Sequence, residues 1–296
     1  MRVLVTGPGK LGRPLIAELH RRGFAGKVLH RNPSAAMPAG WQTVRADLTR
    51  PETLAGACEG CDQVLHLAAL THSNRAARYD EVNAGGTRNL IEEARRSGVR
   101  RFTFVSTRAI SGEGGAYSRS KSAAEAIVRE SGLAWNILRP AEVYGAGGEG
   151  ISALIERCRF GRFVPIVGDG RARLAPIFLD DGVAGICRAV EAPGSGAVLD
   201  LAGPEEMTQR ELIERLAAYF KTRPVAVSVP AGLLALAARA MALVGVQDPP
   251  VYADQVARLL SPKRHDIDGA YRALGFRARP LEEGLKVLFP SPGSPA

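Results

Sequence analysis

This 296-residue chain is poor in cysteine and in lysine, and it lacks any long uninterrupted apolar run. Each shortage excludes something. The 4 cysteines are Cys58, Cys61, Cys158 and Cys187, and the first two form a CxxC. A zinc site needs a second ligand pair at matching spacing, and the sequence has none, so no metal is expected. A redox CxxC belongs at a helix start after a strand, whereas this one sits just before the apolar run Val64-Leu65-His66-Leu67. Free thiols and the lack of a signal peptide point to a reducing cytoplasm. The most apolar stretch, Ala231 to Val246, is interrupted by Arg239 and is shorter than the ~20 residues a bilayer requires. No transmembrane segment is expected there. The stretch reads as a buried or homodimer-forming helix, with docking on a membrane surface as the other reading.

Charge of one sign is in excess but nowhere concentrated. The formal net charge is +9, arginine greatly outnumbers lysine, and the basic residues are scattered. Nucleic-acid binding would need a basic stripe or a binding motif, and neither is present. A scattered arginine-rich surface remains, which also favours an anionic cofactor or substrate. With 46% hydrophobic and 23% charged residues the chain has an ordinary globular composition. Its length is enough for one large domain or two.

The first 150 residues alternate strand and helix. Arg2 to Thr6 reads as a strand, Gly7-Pro8-Gly9-Lys10-Leu11-Gly12 follows at once, and a helix runs from about Arg13 to Arg22. This is GxGxxG in the strand–turn–helix setting that gives it meaning. The glycines permit a tight turn and close backbone approach, and the helix N-terminus faces a pyrophosphate. Lys27 to His30 is the second strand. An NAD site expects a carboxylate about 20 residues past the glycines, on the ribose hydroxyls. Here His30 and Arg31 stand in its place. An arginine can instead hold the 2′-phosphate of NADP, and Lys10 could reach the same group, so NADP is favoured over NAD.

Strands at Trp41 to Ala46, Val64 to Ala69, Arg101 to Ser106 and Leu133 to Leu138 continue the pattern, with helices at Pro51 to Ala57 and Asp80 to Ser97. The alternation implies an α/β fold, a Rossmann-type doubly wound parallel sheet with helices on both faces. Ligands then lie beyond the carboxyl ends of the strands, where Thr6, Asp47, Ala69, Thr107 and Arg139 fall. His66 reads as a packed strand residue rather than a base. We expect a nucleotide-binding core over 1–145 with later returning elements, a smaller, mostly helical substrate-binding region over 146–290, and a flexible tail over 291–296. In the second region Ala146 to Gly150 reads as a flexible loop and Ile151 to Phe160 as helix. Val198 to Leu201 reads as a strand, and Thr208 with Glu211 predicts a capping box on a helix to Phe220.

The chemistry centres on Tyr117 and Lys121. Four positions apart, they share one helix face. A free phenol titrates near ~10. A neighbouring ammonium favours phenolate and brings it toward neutral pH, where it can exchange a proton with a substrate hydroxyl. Thr107, at the end of the preceding strand, can fix the same oxygen.

Taken together, these residues resemble the extended, epimerase/dehydratase-like branch of the short-chain dehydrogenase/reductase superfamily, over nearly the whole chain. The matching features are Thr6-Gly7, Asp47-Leu48, His66-Leu67-Ala68-Ala69, Asn83 with Gly86-Thr87-Arg88-Asn89, Ser106-Thr107, Tyr117 with Lys121, Arg139-Pro140, Tyr144-Gly145 and Asp180-Asp181. The resemblance implies a catalytic set of Thr107, Tyr117 and Lys121, with Asn83 supporting the lysine through water. It implies a cofactor site of Thr6, Gly7, Gly9, Lys10, Leu11, Gly12, His30, Arg31, Asp47, Leu48, Leu67, Ala68, Ala69, Ser106, Tyr117, Lys121, Pro140 and Val143. Asp47 and Leu48 would lie by the adenine, and Pro140 to Val143 by the nicotinamide. Substrate-facing candidates are Thr71, His72, Thr107, Ser111, Glu142 and Arg173.

Three departures stand out. The glycine loop is one residue shorter than the usual family loop. Glu142 replaces an asparagine usual in sugar-nucleotide epimerases, and Leu174, with Arg173 beside it, occupies the position of an arginine that grips the nucleotide diphosphate. Residues Val167 to Asp181 and Leu201 to Glu205 look closer to the subgroup of the dehydrogenase-like accessory subunit of respiratory complex I. The expected function is NAD(P)-dependent reversible hydride transfer at a hydroxyl or keto carbon of a small molecule, a nucleotide sugar included. An NADPH-binding structural or assembly protein is the alternative. Retention of Thr107, Tyr117 and Lys121 together favours the enzyme.

Overall fold

The computed structural model describes residues 1–31, 37–147, 150–246, 249, 251–261 and 266–290. The expected tail over 291–296 and part of the 146–150 loop lie outside these residues. Strand β1 (Arg2–Thr6) leads into α1 (Gly12–Arg21), then β2 (Ala25–His30), β3 (Trp41–Arg45) and, after a 3-10 turn over Pro51–Leu54, β4 (Gln63–His66). A short α2 (Ala76–Tyr79) runs through a π-helical turn over Asp80–Gly85 into α3 (Gly86–Arg96), followed by β5 (Arg101–Val105), α4 (Gly115–Arg129) and β6 (Ala134–Pro140). Further on come β7 (Val143–Tyr144), α5 (Ile151–Arg159), β8 (Phe163–Val167), β9 (Arg173–Leu174), β10 (Ile177–Phe178), α6 (Leu179–Glu191) and β11 (Ala197–Leu201). The chain closes with β12 (Met207–Thr208), α7 (Gln209–Phe220), β13 (Val225–Val229), α8 (Ala231–Leu243), α9 (Ala253–Leu260), α10 (Ile267–Leu274) and α11 (Leu281–Leu288).

Among the described residues, seven strands form the main sheet in the order β11-β6-β5-β4-β1-β2-β3. The pairings from β6 to β3 are all parallel. Strands β1 and β4 are neighbours although β2 and β3 intervene in the chain, so the winding direction reverses between them. That reversal opens a crevice at the carboxyl ends of β1 and β4. The central strands β1 and β4 are buried throughout apart from Arg2, as expected for a parallel sheet covered on both faces.

The chain divides into two compact units. One comprises residues 1–110, 116–139 and 183–199; the other comprises 111–115, 140–182 and 200–296. The first contains most of the main sheet and a core that includes Leu4, Leu29, Val64, Leu90, Phe102 and Ile137. The second has its own core around Tyr144, Ile155, Ile166, Phe178, Leu212 and Leu285. There β8 and β13 form a separate parallel pair, Phe163 opposite Val225 and Val167 opposite Val229.

The expected capping box is present: Thr208 Oγ1 accepts from the Glu211 N–H at 3.2 Å, and the Glu211 carboxylate accepts from the Thr208 N–H at 2.6 Å. Three expectations need correction. Strand β4 ends at His66 rather than Ala69, because the Ala68 N–H turns to the Thr6 hydroxyl at 3.1 Å and leaves the ladder. The helix expected over Asp80 to Ser97 begins earlier and is interrupted by the π turn. Helix α8 is not buried: Ala238 is its only buried residue, and its apolar residues point in all directions round the axis. Packing against one neighbour covers one side of such a helix and leaves the other in solvent.

Candidate active site

Turn geometry at the end of β1 builds the first part of the site. Gly7 has φ 77°, and a Cβ there would sit 2.7 Å from the Ala68 nitrogen. A Cβ on Gly12 would sit 2.2 Å from the Gly7 carbonyl oxygen. Both positions therefore need glycine for the fold itself. Gly9 differs, since a Cβ there would meet nothing within 4 Å and its φ is ordinary. The protein imposes no demand for glycine at that point, and its Cβ side lies open beside an α1 N-terminus that no side chain among the described residues caps. An open glycine face at a helix N-terminus fits the close approach of a pyrophosphate.

At the neighbouring strand ends, the Ala46 N–H donates to the His30 carbonyl at 3.2 Å, which brings Asp47 beside Arg31. Burial works against the charge of Asp47. The N–H and hydroxyl of Thr49, at 2.9 and 2.8 Å, with Arg31 and Arg50 nearby, hold its carboxyl below the usual range. His30 is buried and its Nε2 has no hydrogen-bond partner among the described residues, while Arg31 is exposed. Leu48 lies against α3: a Cβ on Gly86 would come within 2.9 Å of the Leu48 Cβ, and Asn89 Nδ2 donates to the Leu48 carbonyl at 2.8 Å. These features fit the adenosine end of a dinucleotide.

A buried relay links β1, β4 and α3. The Thr87 hydroxyl donates to the Asn83 carbonyl at 2.6 Å, so it must accept from His66 Nε2 at 3.1 Å. His66 Nδ1 is then the acceptor, and it takes the Thr6 hydroxyl proton at 2.7 Å. His66 is thus neutral in one tautomer. Burial, with the Lys121 charge adding to it, pushes its pKa down to about 3.

The π turn carries Asn83. Its Oδ1 accepts from the Leu70 N–H at 2.7 Å, and its Nδ2 donates to the Leu70 carbonyl at 3.1 Å and to Ser120 Oγ at 2.9 Å. One amide thereby holds the loop after β4 against α4, next to Lys121.

On α4, Tyr117 and Lys121 are both buried, 7% and 1% exposed. The Tyr117 ring meets Tyr79 edge-on with centroids 5.9 Å apart. Lys121 Nζ donates to the Val105 carbonyl at 3.0 Å and lies 4.1 Å from the centre of the Phe104 ring. Burial pushes its pKa down to about 7, against an opposing pull from Glu125 one turn on. Glu125 is itself buried, but Arg139 at 2.8 and 2.7 Å and Arg129 at 2.7 Å hold its carboxyl below the usual range. Thr107 follows Ser106 at the end of β5, and its Oγ1 accepts from the Ala109 N–H at 3.1 Å. Thr71 and His72 are exposed after β4, with Thr71 Oγ1 2.9 Å from His72 Nδ1. Leu67, Ala68 and Ala69 are half-buried and Lys10 is exposed.

The remaining candidates belong to the second unit. Glu142 Oε2 accepts from the Ala175 N–H at 3.2 Å, and the Ile177 N–H donates to the Glu142 carbonyl at 3.0 Å. Val143 pairs with Ile177, and Pro140 ends β6. Arg173 is exposed and pairs with Glu206 at 3.1 Å, while Leu174 is buried. Ser111 is half-buried at the start of the 111–115 segment. Sequence reasoning missed the parts played by Gly86, Thr87, Asn89, Ser120 and the Glu125–Arg139 pair. The YxxxKxxxE spacing, i to i+4 to i+8, was the available signal for the last.

A doubly wound parallel sheet with a glycine turn at its switch point and a buried Tyr–Lys pair defines an NAD(P)-dependent enzyme of the short-chain dehydrogenase/reductase type. The chain belongs to the NAD dependent epimerase/dehydratase family, whose model matches residues 3–201. It is similar to the 2-alkyl-3-oxoalkanoate reductase of Stenotrophomonas maltophilia, 27% identical over 325 residues that cover 97% of this chain and 98% of the relative. It is also similar to the 4-hydroxy-2-methyl-3-oxo-4-farnesyl-3,4-dihydroquinoline-1-oxide ketoreductase of Stigmatella aurantiaca, 30% identical over 224 residues, 67% of each chain. Among solved structures, MoeE5 in complex with UDP-glucose and NAD matches with a TM-score of 0.76 at 25% identity, over 97% of both chains.

Proposed function

We propose that the protein catalyses NADP(H)-dependent reversible hydride transfer at the hydroxyl or keto carbon of a weakly polar small molecule. The observation that carries this reading is the buried Tyr117–Lys121 pair one turn apart on α4, with the Lys121 ammonium drawn toward neutral pH. Tyr117 moves the proton of the reacting hydroxyl. Lys121 favours the phenolate and holds the cofactor ribose, and the Thr107 hydroxyl orients the substrate oxygen. Asn83 fixes the loop after β4 and, through Ser120, the segment of α4 that carries Lys121. When bound, the nicotinamide supplies the hydride acceptor or donor. Gly9 and the α1 N-terminus receive the pyrophosphate, Asp47 and Leu48 flank the adenine, and His30 and Arg31 face the ribose 2′ position.

Two observations in the second unit support a weakly polar substrate over a nucleotide sugar. Leu174, at the position expected of a diphosphate-gripping arginine, is buried, and Arg173 beside it is committed to Glu206. The two relatives above are named as reductases of an alkyl oxoalkanoate and of a farnesylated quinoline ketone, both largely hydrocarbon. The test is a turnover panel with NADPH, comparing alkyl 3-oxoalkanoates and other apolar ketones with UDP-glucose and UDP-galactose. Turnover of at least one apolar ketone and weak activity on the UDP-sugars are expected. A UDP-sugar epimerase activity with kcat/KM above ~10⁴ M⁻¹s⁻¹ sinks the substrate reading.

The cofactor preference is tested separately by calorimetry. NADP(H) should bind more tightly than NAD(H), and Arg31→Ala should remove about 1–3 kcal/mol of that difference, the range for a lost charge-assisted contact. Equal or tighter binding of NAD(H) to the unmodified protein overturns the preference.

A further inference from the structure

Helix α8 is the least explained element of the molecule. Leu233, Leu236 and Leu243 are 61%, 64% and 88% exposed, and Val244 at its end is 79% exposed. Leu233, Leu236, Ala240 and Leu243 follow the spacing of a single helix face, and Ala237 and Ala240 on that face are also exposed. The opposite side, with Leu234, Ala238 and Met241, is the one turned inward. An outward stripe of leucine and alanine more than two turns long is not ordinary scattered surface hydrophobicity.

The charges around it indicate what covers it. From Lys221 to Val246 the sequence contains no Asp or Glu, while Lys221, Arg223 and Arg239 are all exposed. Arg239 borders the leucine stripe. In the preceding β13, Val225 and Val227 are 59% and 40% exposed and belong to the same stretch of sequence without acidic residues. The whole chain carries a net +9. A second copy would bring these like charges together across the interface. An anionic lipid surface complements them and receives the leucines at the boundary between headgroups and acyl chains. At 13 residues α8 is too short to span a bilayer but long enough to lie in that boundary.

We infer that α8 is a membrane-surface anchor, lying flat on anionic phospholipid with Leu233, Leu236 and Leu243 inserted and Arg239 at the headgroups. This goes beyond the proposed reaction and does not depend on it, since α8 holds no residue of the Tyr117–Lys121 site. The two readings meet in one respect: an enzyme resting on lipid has direct access to substrates that partition there.

The test uses the full chain with vesicles of phosphatidylglycerol and phosphatidylcholine in equal parts, and with phosphatidylcholine alone, read by co-sedimentation. Binding to the anionic vesicles at low salt is expected. It should fall sharply toward ~1 M salt, where the screening length is about 3 Å. Leu236→Asp/Leu243→Asp should weaken partitioning by ~100-fold or more, the scale for returning two leucine side chains to water. Arg239→Glu should weaken it ~5–30-fold. Both positions face solvent, so the double variant should keep its melting temperature and its NADPH affinity. Three results overturn the inference: no binding to anionic vesicles, equal binding to neutral ones, or full binding by the double variant. A fourth is a dimer in ultracentrifugation that the double variant converts to monomer, since a second copy then covers the stripe.

Discussion

Tyr117→Phe is expected to lower turnover by at least ~10²–10⁴, the range for loss of a positioned acid/base group, while the protein stays folded and binds cofactor normally. The ring remains, so its edge-on packing against Tyr79 is kept. One lost hydroxyl interaction amounts to about 1 kcal/mol, or roughly 2–4 °C in melting temperature for a chain of this size. Lys121→Ala should differ in kind. It removes the ammonium held by the Val105 carbonyl and leaves a cavity beside Phe104. Cofactor affinity, stability and turnover should all fall together. The decisive comparison is single-turnover rate against cofactor affinity for both variants on a ketone the unmodified protein reduces. Near-normal turnover by Tyr117→Phe would leave Tyr117 a packed helix residue, and the proposed reaction would lose its acid/base.

Stability should fall on mild acidification before the carboxylates begin to titrate, and His66 should account for it. Its folded-state value of about 3 lies below its ordinary 6.5, so between those values the unfolded chain binds a proton that the folded chain refuses. The stabilisation is complete above 6.5 and is lost as pH falls toward 3, at about 1.4 kcal/mol for each pH unit in between. Carboxyls held low in the fold, such as those of Glu125 and Asp47, add their own loss only below the normal carboxylate range. Lys121, with its folded value of about 7, is almost fully protonated in both states below pH 6, so the window from 6 to 5 belongs to His66. Denaturant titrations across it should show falling stability in the unmodified protein and a flat line in His66→Gln, whatever that variant costs overall. An equal slope in both would place the titrating group elsewhere. The cause is burial, with the Lys121 charge adding to it; protonation would also disrupt the relay, because protonated Nδ1 could no longer accept from Thr6, whose hydroxyl also receives the Ala68 N–H.

Short-range patterns made much of the fold legible. Arg2 to Gly12 contains strand, turn and helix start within a few residues, and β-α-β alternation with right-handed crossovers leaves few topologies open. The pair Tyr117 and Lys121 was equally legible, because four residues on a helix always share a face. The parallel pair β8–β13 was not, since its strands lie some sixty residues apart and neither alternates strongly enough to be noticed alone. Nor did sequence show that β4 would stop at His66, which depends on a hydroxyl from another strand.

What the sequence by itself determined was local: where the chain turns, which faces are apolar, and which titratable groups sit one helical turn apart. Only the tertiary structure decided the state of those groups. Burial beneath β5 is what draws Lys121 toward neutrality, and burial beside the Lys121 charge is what keeps His66 uncharged, while the relay through Thr6, Thr87 and Asn83 fixes its tautomer. The fate of α8 was decided there too. Its composition reads as a core helix, but a helix apolar on every side needs cover on every side, and its neighbours supply cover on one. Periodicity is set by bonds along the chain, whereas desolvation depends on which distant segments arrive next to a residue, and that is settled only when the chain has folded.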